Sequence, residues 1–573
     1  MSHYRPVPIG VEDYKEIIDK KSAYIDKTLL IKEFWQDGGK VILTPRPRRF
    51  GKTLNLSMLK YFFEKTDPKN ADLFKNTHIW NYSEYRALQG QFPVIFLTFK
   101  DIKAKSWELA YEEFIIIISE ECKRLSHHII IEKIDASDID IFNRLKMKQA
   151  SEGELIQSLQ FVSRLLYEQA EKKVIVLIDE YDAPIINAYL HGYYSEMIKF
   201  MDGLLSKVLK SNSALEKGFL TGITRIAKEG IFSGLNHLSV YTILNVEYSD
   251  KFGFTQKEVD QLLVGYDLAN KRDEIKNWYD GYIFGNTHVY NPWSLLKCVS
   301  SKGDFRTYWA NTSDNKLVKN ILVSANPKVK NEIELLLQGN VIVDKEIDEG
   351  VILPDLENDD QEPWSFLLFT GYLTAISHTI IGGRYYYTLA TPNQEISYLY
   401  QDLVLKALKT VVSFAWLKKL TVAFMVGNKK MVEQYLQEFV IETCSSHDAV
   451  KNDPERSFHM LVLGLLAGLS DRYMIKSNRE SGHGRYDIML IPRTSQDSGI
   501  VIEFKKAKEK GEAVLMASAK EALEQIKSRS YATEIRSSGY LGPIFCYGIA
   551  VYKKHVVVNL ETIPGSTQKK SQG

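Results

Sequence analysis

A short apolar strand, Lys40-Val41-Ile42-Leu43-Thr44, runs into the loop Pro45-Arg46-Pro47-Arg48-Arg49-Phe50 and then into Gly51-Lys52-Thr53. Leu54 to Glu64 follows with the pattern of a helix. Strand, tight loop and helix in this order open a parallel α/β layer, which excludes most other architectures for the first part of the chain. The same segment carries chemistry. Loop amides and the helix N-terminus, closed by Gly51, can hold a phosphate; Lys52 can reach terminal phosphate oxygens, and the Thr53 hydroxyl can take Mg²⁺. The usual Gly-x-x-x-x-Gly-Lys-Thr spacing calls for glycine at position 46. Here Arg46 stands there between two prolines, which donate no amide. At least one of Arg48 and Arg49 is expected to meet nucleotide phosphate or a neighbouring acid; an exposed basic turn is the plainer alternative.

A partner for that loop lies downstream. Val174-Ile175-Val176-Leu177-Ile178-Asp179-Glu180 is a continuous apolar run closed by acids, as a buried parallel strand reads. Asp179 is expected to hold Mg²⁺ through water, and Glu180 to polarise an attacking water. A core strand followed by solvated acids accounts for the same residues without chemistry. Gly218 to Arg225 (GFLTGITR) is another apolar strand closed by polar residues. It resembles the strand that carries a phosphate sensor in AAA-like ATPases, which implies that role for Thr224 or Arg225; a strand capped by a surface arginine is the plain alternative.

Near the C-terminus, Tyr486-Asp487-Ile488-Met489-Leu490 precedes Gly499-Ile500-Val501-Ile502-Glu503-Phe504-Lys505. Side chains alternate along a strand, so Val501, Glu503 and Lys505 share one side and Ile500, Ile502 and Phe504 the other. If the two strands pair, Asp487 stands beside Glu503, and two carboxylates with a carbonyl suit Mg²⁺. Lys505 can then orient a water or neutralise charge on a phosphate. An exposed strand with alternating charges is the plain alternative. Pro454–Leu469 reads as a helix with Glu455 in its first turn, and Ser477–Gly482 as a polar loop containing Glu480; either acid can add to the site. Glu512–Ser530 reads as a helix carrying Gln525, followed by Tyr531, with strands at Ile544–Val551 and His555–Asn559. Helix, acid strand, Glu-x-Lys strand, helix, strand resembles the core of the PD-(D/E)xK nuclease superfamily. Gln525 and Tyr531 resemble elements some of those nucleases carry beyond the lysine.

The remaining motifs point to a second family. RPRRFGKT (46–53), LIDEYDAP (177–184), TGITRIAKEGIFSGLNHL (221–238), WYDGYIFG (278–285) and YNPWSLL (290–296) are similar to the AAA-ATPase-like family. In that family PRRFGKT replaces the ordinary phosphate loop, and a C-terminal PD-(D/E)xK domain is typical. The resemblance implies an α/β multidomain protein: an AAA-like P-loop ATPase domain over 1–265, a helical lid or connector over 266–440, a restriction-endonuclease-like α/β domain over 441–560, and a polar tail over 561–573. It implies ATP and Mg²⁺ as cofactors.

Composition sets outer bounds. The chain has 573 residues, enough for about three domains, with 45% hydrophobic and 25% charged residues, ordinary globular usage. Four scattered cysteines form neither a metal spacing nor a disulfide framework. The start lacks an apolar leader, and no apolar run is long enough to span a bilayer, so a cytoplasmic address without membrane is expected. A net charge of +1 does not advertise a nucleic-acid binder, although from Ile441 onward basic residues outnumber acidic ones by 19 to 15. Lys505, Lys506, Lys508 and Lys510 cluster where they can meet phosphates, DNA rather than RNA being the expected partner; a solvated turn fits them as well. Oligomerisation stays open. The expected activity is ATP binding and hydrolysis coupled to metal-dependent cleavage of nucleic acid. The alternative is a nucleotide-dependent switch whose nuclease-like fold binds DNA or a protein without cutting.

Overall fold

The computed structural model describes residues 5–130, 134–226, 238–309, 318, 327–350, 353, 363–408, 414–445, 469, 472–478, 486–507, 509–528, 531–552 and 554–565. The chain divides into two compact units, Met1–Thr312 with Val343–Ile396, and Ser313–Ile342 with Ser397–Gly573.

The first unit is built on a sheet of β1 (Val41–Pro45), β2 (Val94–Thr98), β3 (Val174–Asp179), β4 (Leu215–Gly222) and β5 (Leu238–Val240), in the order β2-β3-β4-β1-β5. All four pairings are parallel. Their apolar runs match this: β1 and β3 are buried along their whole length. The chain leaves β1 for the far edge at β2 and steps back inward, so β4 enters between β1 and β3. The C-terminal ends of β1, β4 and β3 thus lie side by side, where the strand order reverses. In open parallel sheets that is where ligands bind.

Two small three-stranded sheets complete this unit. The first joins β6 (Phe254–Thr255), β7 (Tyr282–Phe284) and β8 (Thr287–Tyr290). The second joins β9 (Ile342–Glu346), β10 (Thr374–Ile381) and β11 (Arg384–Ala390). Thr255 caps the Gln256–Gly265 helix in a capping box closed by Glu258, as its spacing suggests. The region 266–440, expected to be a helical lid or connector, contains the β7–β8 hairpin. The reason is local: Phe284 pairs with Thr287 across the two-residue turn Gly285-Asn286, and Gly285 has φ 53°. Gly382-Gly383 does the same between β10 and β11, with both glycines at positive φ.

The second unit carries β12 (Tyr473–Asn478), β13 (Tyr486–Pro492), β14 (Gly499–Lys506), β15 (Ile544–Tyr552) and β16 (His555–Ile563), ordered as numbered. Only β14 and β15 are parallel, and the Glu512–Ser528 helix makes the crossover that a parallel pair needs. One face of the sheet, through Ile488, Leu490, Ile500, Ile502 and Phe504, clusters with Leu420, Phe424, Leu436 and Phe439. These come from the Phe414–Met425 and Lys429–Ser445 helices. The other face clusters Met489 and Val501 with Leu523 and Ile526 of the crossover helix. The region 266–440, expected to be one helical connector, is thus apportioned. Up to 396 it belongs mainly to the first unit, and its last helices build the core of the second.

Candidate functional site

β1 delivers the chain into the phosphate loop, and Gly51 starts the Lys52–Phe63 helix in a left-handed conformation, φ 81°, that strains any other residue. Lys52 Nζ donates to the carbonyls of Arg46 and Pro47 at 3.1 Å each. Thr53 Oγ1 donates to Asp179 Oδ2 at 2.7 Å, joining the helix start to the end of β3. Thr221, on the intervening β4, donates to the other oxygen, Asp179 Oδ1, at 2.7 Å. Burial pushes the Asp179 carboxyl up, with Glu180 adding to it, while Thr221, Thr53 and Lys52 hold it down. Burial pulls the Lys52 ammonium down against the support of Glu180, Asp179 and Asp182. Hydroxyl, carboxylate and ammonium at the mouth of β1, β4 and β3 are the donor set that Mg²⁺-bound nucleotide requires.

The three loop arginines have different surroundings. Arg46 is fully buried: its guanidinium donates to the carbonyls of Pro45 at 2.8 Å, Tyr241 at 2.7 Å and Tyr248 at 3.3 Å, and lies over Phe252 and Phe284. It is a fixture of the interior beneath the loop. Arg48 is half-buried in the field of Glu180 and Asp182, which offsets the lowering that burial imposes on it. Arg49, at φ 65°, donates to the Tyr308 carbonyl at 2.8 Å and sits over the Trp293 ring at 4.2 Å. Glu180 also has positive φ, 50°. Two non-glycine residues in this sparsely populated region flank one site, as backbone strain at functional sites does.

Asp182 was not singled out in the sequence. Fully buried, its Oδ2 accepts from the amides of Ile223 and Thr224 at 2.8 Å each and from the Thr224 hydroxyl at 3.1 Å. Tyr181 donates to the Thr224 carbonyl at 2.9 Å and accepts from the Ile226 amide at 3.0 Å. The second half of Asp-Glu-Tyr-Asp therefore fastens the end of β4 beside the end of β3. A Cβ at Gly222 would lie 2.6 Å from Asp182 Oδ1, so that glycine permits the contact. Thr224 is committed to Asp182, while Arg225 is half-buried at the edge of the described segment.

In the second unit, the antiparallel register sets Asp487 opposite Glu503 and Met489 opposite Val501. Glu503 is fully buried, and Lys505, two residues on, is 9% exposed. Lys505 Nζ donates to the carboxylate of Glu521 on the Glu512–Ser528 helix. Glu503 also stands opposite Gly548 of β15, where a Cβ would come within 2.2 Å of the Ala519 carbonyl. The glycine thus lets the helix settle at backbone distance over the acid. Gln525 lies on that helix with its Nε2 buried and without a hydrogen bond among the described residues, and Tyr531 opens the next helix, Tyr531–Ser537. Glu455, Glu480 and Lys508 lie outside the described residues.

Comparison with known proteins divides the chain the same way. Residues 8–232 match the family model described as a predicted AAA-ATPase, and residues 453–561 match that of the PD-(D/E)XK nuclease superfamily. Over 571 residues the chain is 26% identical to an "Uncharacterized protein in vnfD 5'region" of Azotobacter chroococcum mcd 1, covering 95% of this chain and 96% of that protein. The chain therefore joins an AAA-ATPase-like domain to a C-terminal PD-(D/E)xK nuclease superfamily domain.

Proposed function

We propose that this protein binds and hydrolyses ATP on its first unit and uses the second to cleave nucleic acid, DNA in preference to RNA. The observation that carries the nucleotide half is the 2.7 Å contact of Thr53 with Asp179, with Lys52 folded onto the loop beside it. In this reading Lys52 and Arg48 hold phosphate oxygens, Thr53 and Asp179 hold Mg²⁺, and Glu180 orients the attacking water and takes its proton. Arg225 faces the terminal phosphate, and Arg49 keeps the loop in shape from behind.

On the second unit, Asp487 and Glu503 hold Mg²⁺, and Lys505 positions the water or the scissile phosphate once it leaves Glu521. The metal supplies charge neutralisation and a more acidic bound water. The pairing of Lys505 with Glu521 also favours a second reading, in which the nuclease-like fold binds DNA or a protein without cutting it.

Calorimetry tests the nucleotide half. Lys52→Ala removes a charge-assisted contact worth ~1.5–3 kcal/mol, so ATP affinity should fall at least about tenfold. Glu180→Gln should bind as wild type and turn over slowly. Equal ATP affinity in wild type and Lys52→Ala refutes the assignment.

A further inference from the structure

The phosphate loop is not held by its own domain alone. Asn291 Nδ2 at 3.4 Å and Trp309 Nε1 at 3.3 Å both donate to the Arg48 carbonyl. Arg49 donates to the neighbouring Tyr308 carbonyl at 2.8 Å and covers Trp293. The Trp309 amide in turn donates to Glu395 Oε1 at 2.7 Å, and both Trp309 and Glu395 are buried. Glu395 is fixed from the other side. A Cβ at Gly281, φ 99°, would lie 1.8 Å from the Pro392 carbonyl, and Asn393 donates to the Asp280 carbonyl at 2.8 Å. Asp280-Gly281 and Asn291 to Trp293 are the centres of the WYDGYIFG and YNPWSLL motifs, whose purpose the two site readings leave unexplained. All of these residues belong to the first unit, and apart from Arg48 and Arg49 themselves none falls within the AAA-ATPase match at 8–232. The chain crosses to the second unit three residues after Trp309, at Thr312/Ser313, and again directly after Ile396, the neighbour of Glu395.

We infer that Trp309 and Glu395 are positioning residues that latch the Arg48–Arg49 segment of the phosphate loop, so that nucleotide seating on the loop is felt at two of the crossings into the nuclease-like unit. The inference rests on the ATP reading only for its second half. The two prolines of the loop donate no amide and Arg49 is left-handed, so the loop's form leans on donors besides Lys52. The two indole and amide donors on the Arg48 carbonyl supply what the loop lacks. Phosphate drawn onto the Arg48 side chain pulls on the same backbone that Trp309 grips, and Trp309 passes that displacement to Glu395.

The test is peptide-resolved amide hydrogen exchange on the full chain, for wild type, Trp309→Phe, Glu395→Ala and Glu395→Gln, with thermal melts confirming that each is folded. Without nucleotide, Trp309→Phe and Glu395→Ala should speed exchange over residues 46–53. Glu395→Gln, which keeps the acceptor oxygen, should not. Unchanged exchange in both damaging variants overturns the latch, whether or not the protein binds ATP. With the non-hydrolysed analogue ATPγS and Mg²⁺, wild type should slow exchange over 304–309 and 393–399 as well as over the loop, and Trp309→Phe should confine protection to the loop. Protection of the loop alone in wild type overturns the coupling while leaving ATP binding intact. No protection anywhere means that the ATP reading has failed and the coupling with it, and leaves the nucleotide-free result to decide the latch. In steady-state hydrolysis, Trp309→Phe should raise KM for ATP about fivefold, the worth of one hydrogen bond, with kcat within about twofold of wild type.

Discussion

Arg46 shows how one side chain can mislead a motif and still explain it. In a glycine-rich phosphate loop its position asks for no side chain at all, and only the resemblance to the AAA-ATPase-like family makes an arginine there expected. In the fold it points into the interior, where its guanidinium satisfies three buried carbonyls, those of Pro45, Tyr241 and Tyr248. Restoring the common pattern with Arg46→Gly should therefore weaken the protein instead of improving it. Three carbonyls lose their donor, for about 3 kcal/mol in all, and ATP affinity of the folded protein should not rise. A melt in which Arg46→Gly matches wild type contradicts this. The residues legible in the sequence were those whose chemistry is written in their spacing: Lys52, Thr53 and Asp179, and the alternation that sets Glu503 and Lys505 on one side of β14. Asp182 and Thr221 were not legible, because their work is to brace backbone and carboxylate across strands, and no local pattern shows which strands are neighbours.

At the scale of elements, continuous apolar runs announced β1, β3 and β14. The β7–β8 hairpin was hidden, since strands of three and four residues give too few alternations to read and only Gly285-Asn286 marks the turn. Close approach also leaves little trace in sequence. Gly548 allows the Glu512–Ser528 helix to lie against β15, so Gly548→Ala should push the helix off the sheet beside Glu503 and cost about 1–3 kcal/mol. A thermal midpoint unchanged by that substitution would contradict the packing. The Gln394–Leu408 helix carries a further test. Burial raises the Glu395 carboxyl from 4.5 to about 7, although the Trp309 amide and Arg49 hold it down. A carboxyl raised on folding stabilises the fold while protonated. Its contribution is full below about pH 4.5 and is lost as pH rises through about 7. Relative to Glu395→Gln, the wild-type melting temperature should fall between pH 5 and pH 8. A difference between the two that does not vary with pH would show that Glu395 titrates normally.

For the whole molecule, the order of parts was legible and their borders were not. Two motif sets named an ATPase-like domain followed by a nuclease-like one. The helical region over 266–440 looked like a lid or connector because periodicity shows that a helix has an apolar face, not what that face covers. In the fold, Leu420, Phe424, Leu436 and Phe439 are the core beneath Ile500 and Ile502. Likewise the first unit continues to Ile396, well past the family match, and Asn291 and Trp309 from that continuation donate to the Arg48 carbonyl. Among the described residues no helix is long and apolar enough to cross a membrane. The central claim is that these parts make a nucleotide-binding protein that cuts nucleic acid. Its most direct test incubates wild type and Asp487→Ala with linear, circular and single-stranded DNA and with RNA, in Mg²⁺ or Mn²⁺, with and without ATP. Metal-dependent cleavage of DNA by wild type, lost in Asp487→Ala, is the predicted result. Cleavage undiminished in the variant, or none by wild type under any of these conditions, would contradict it.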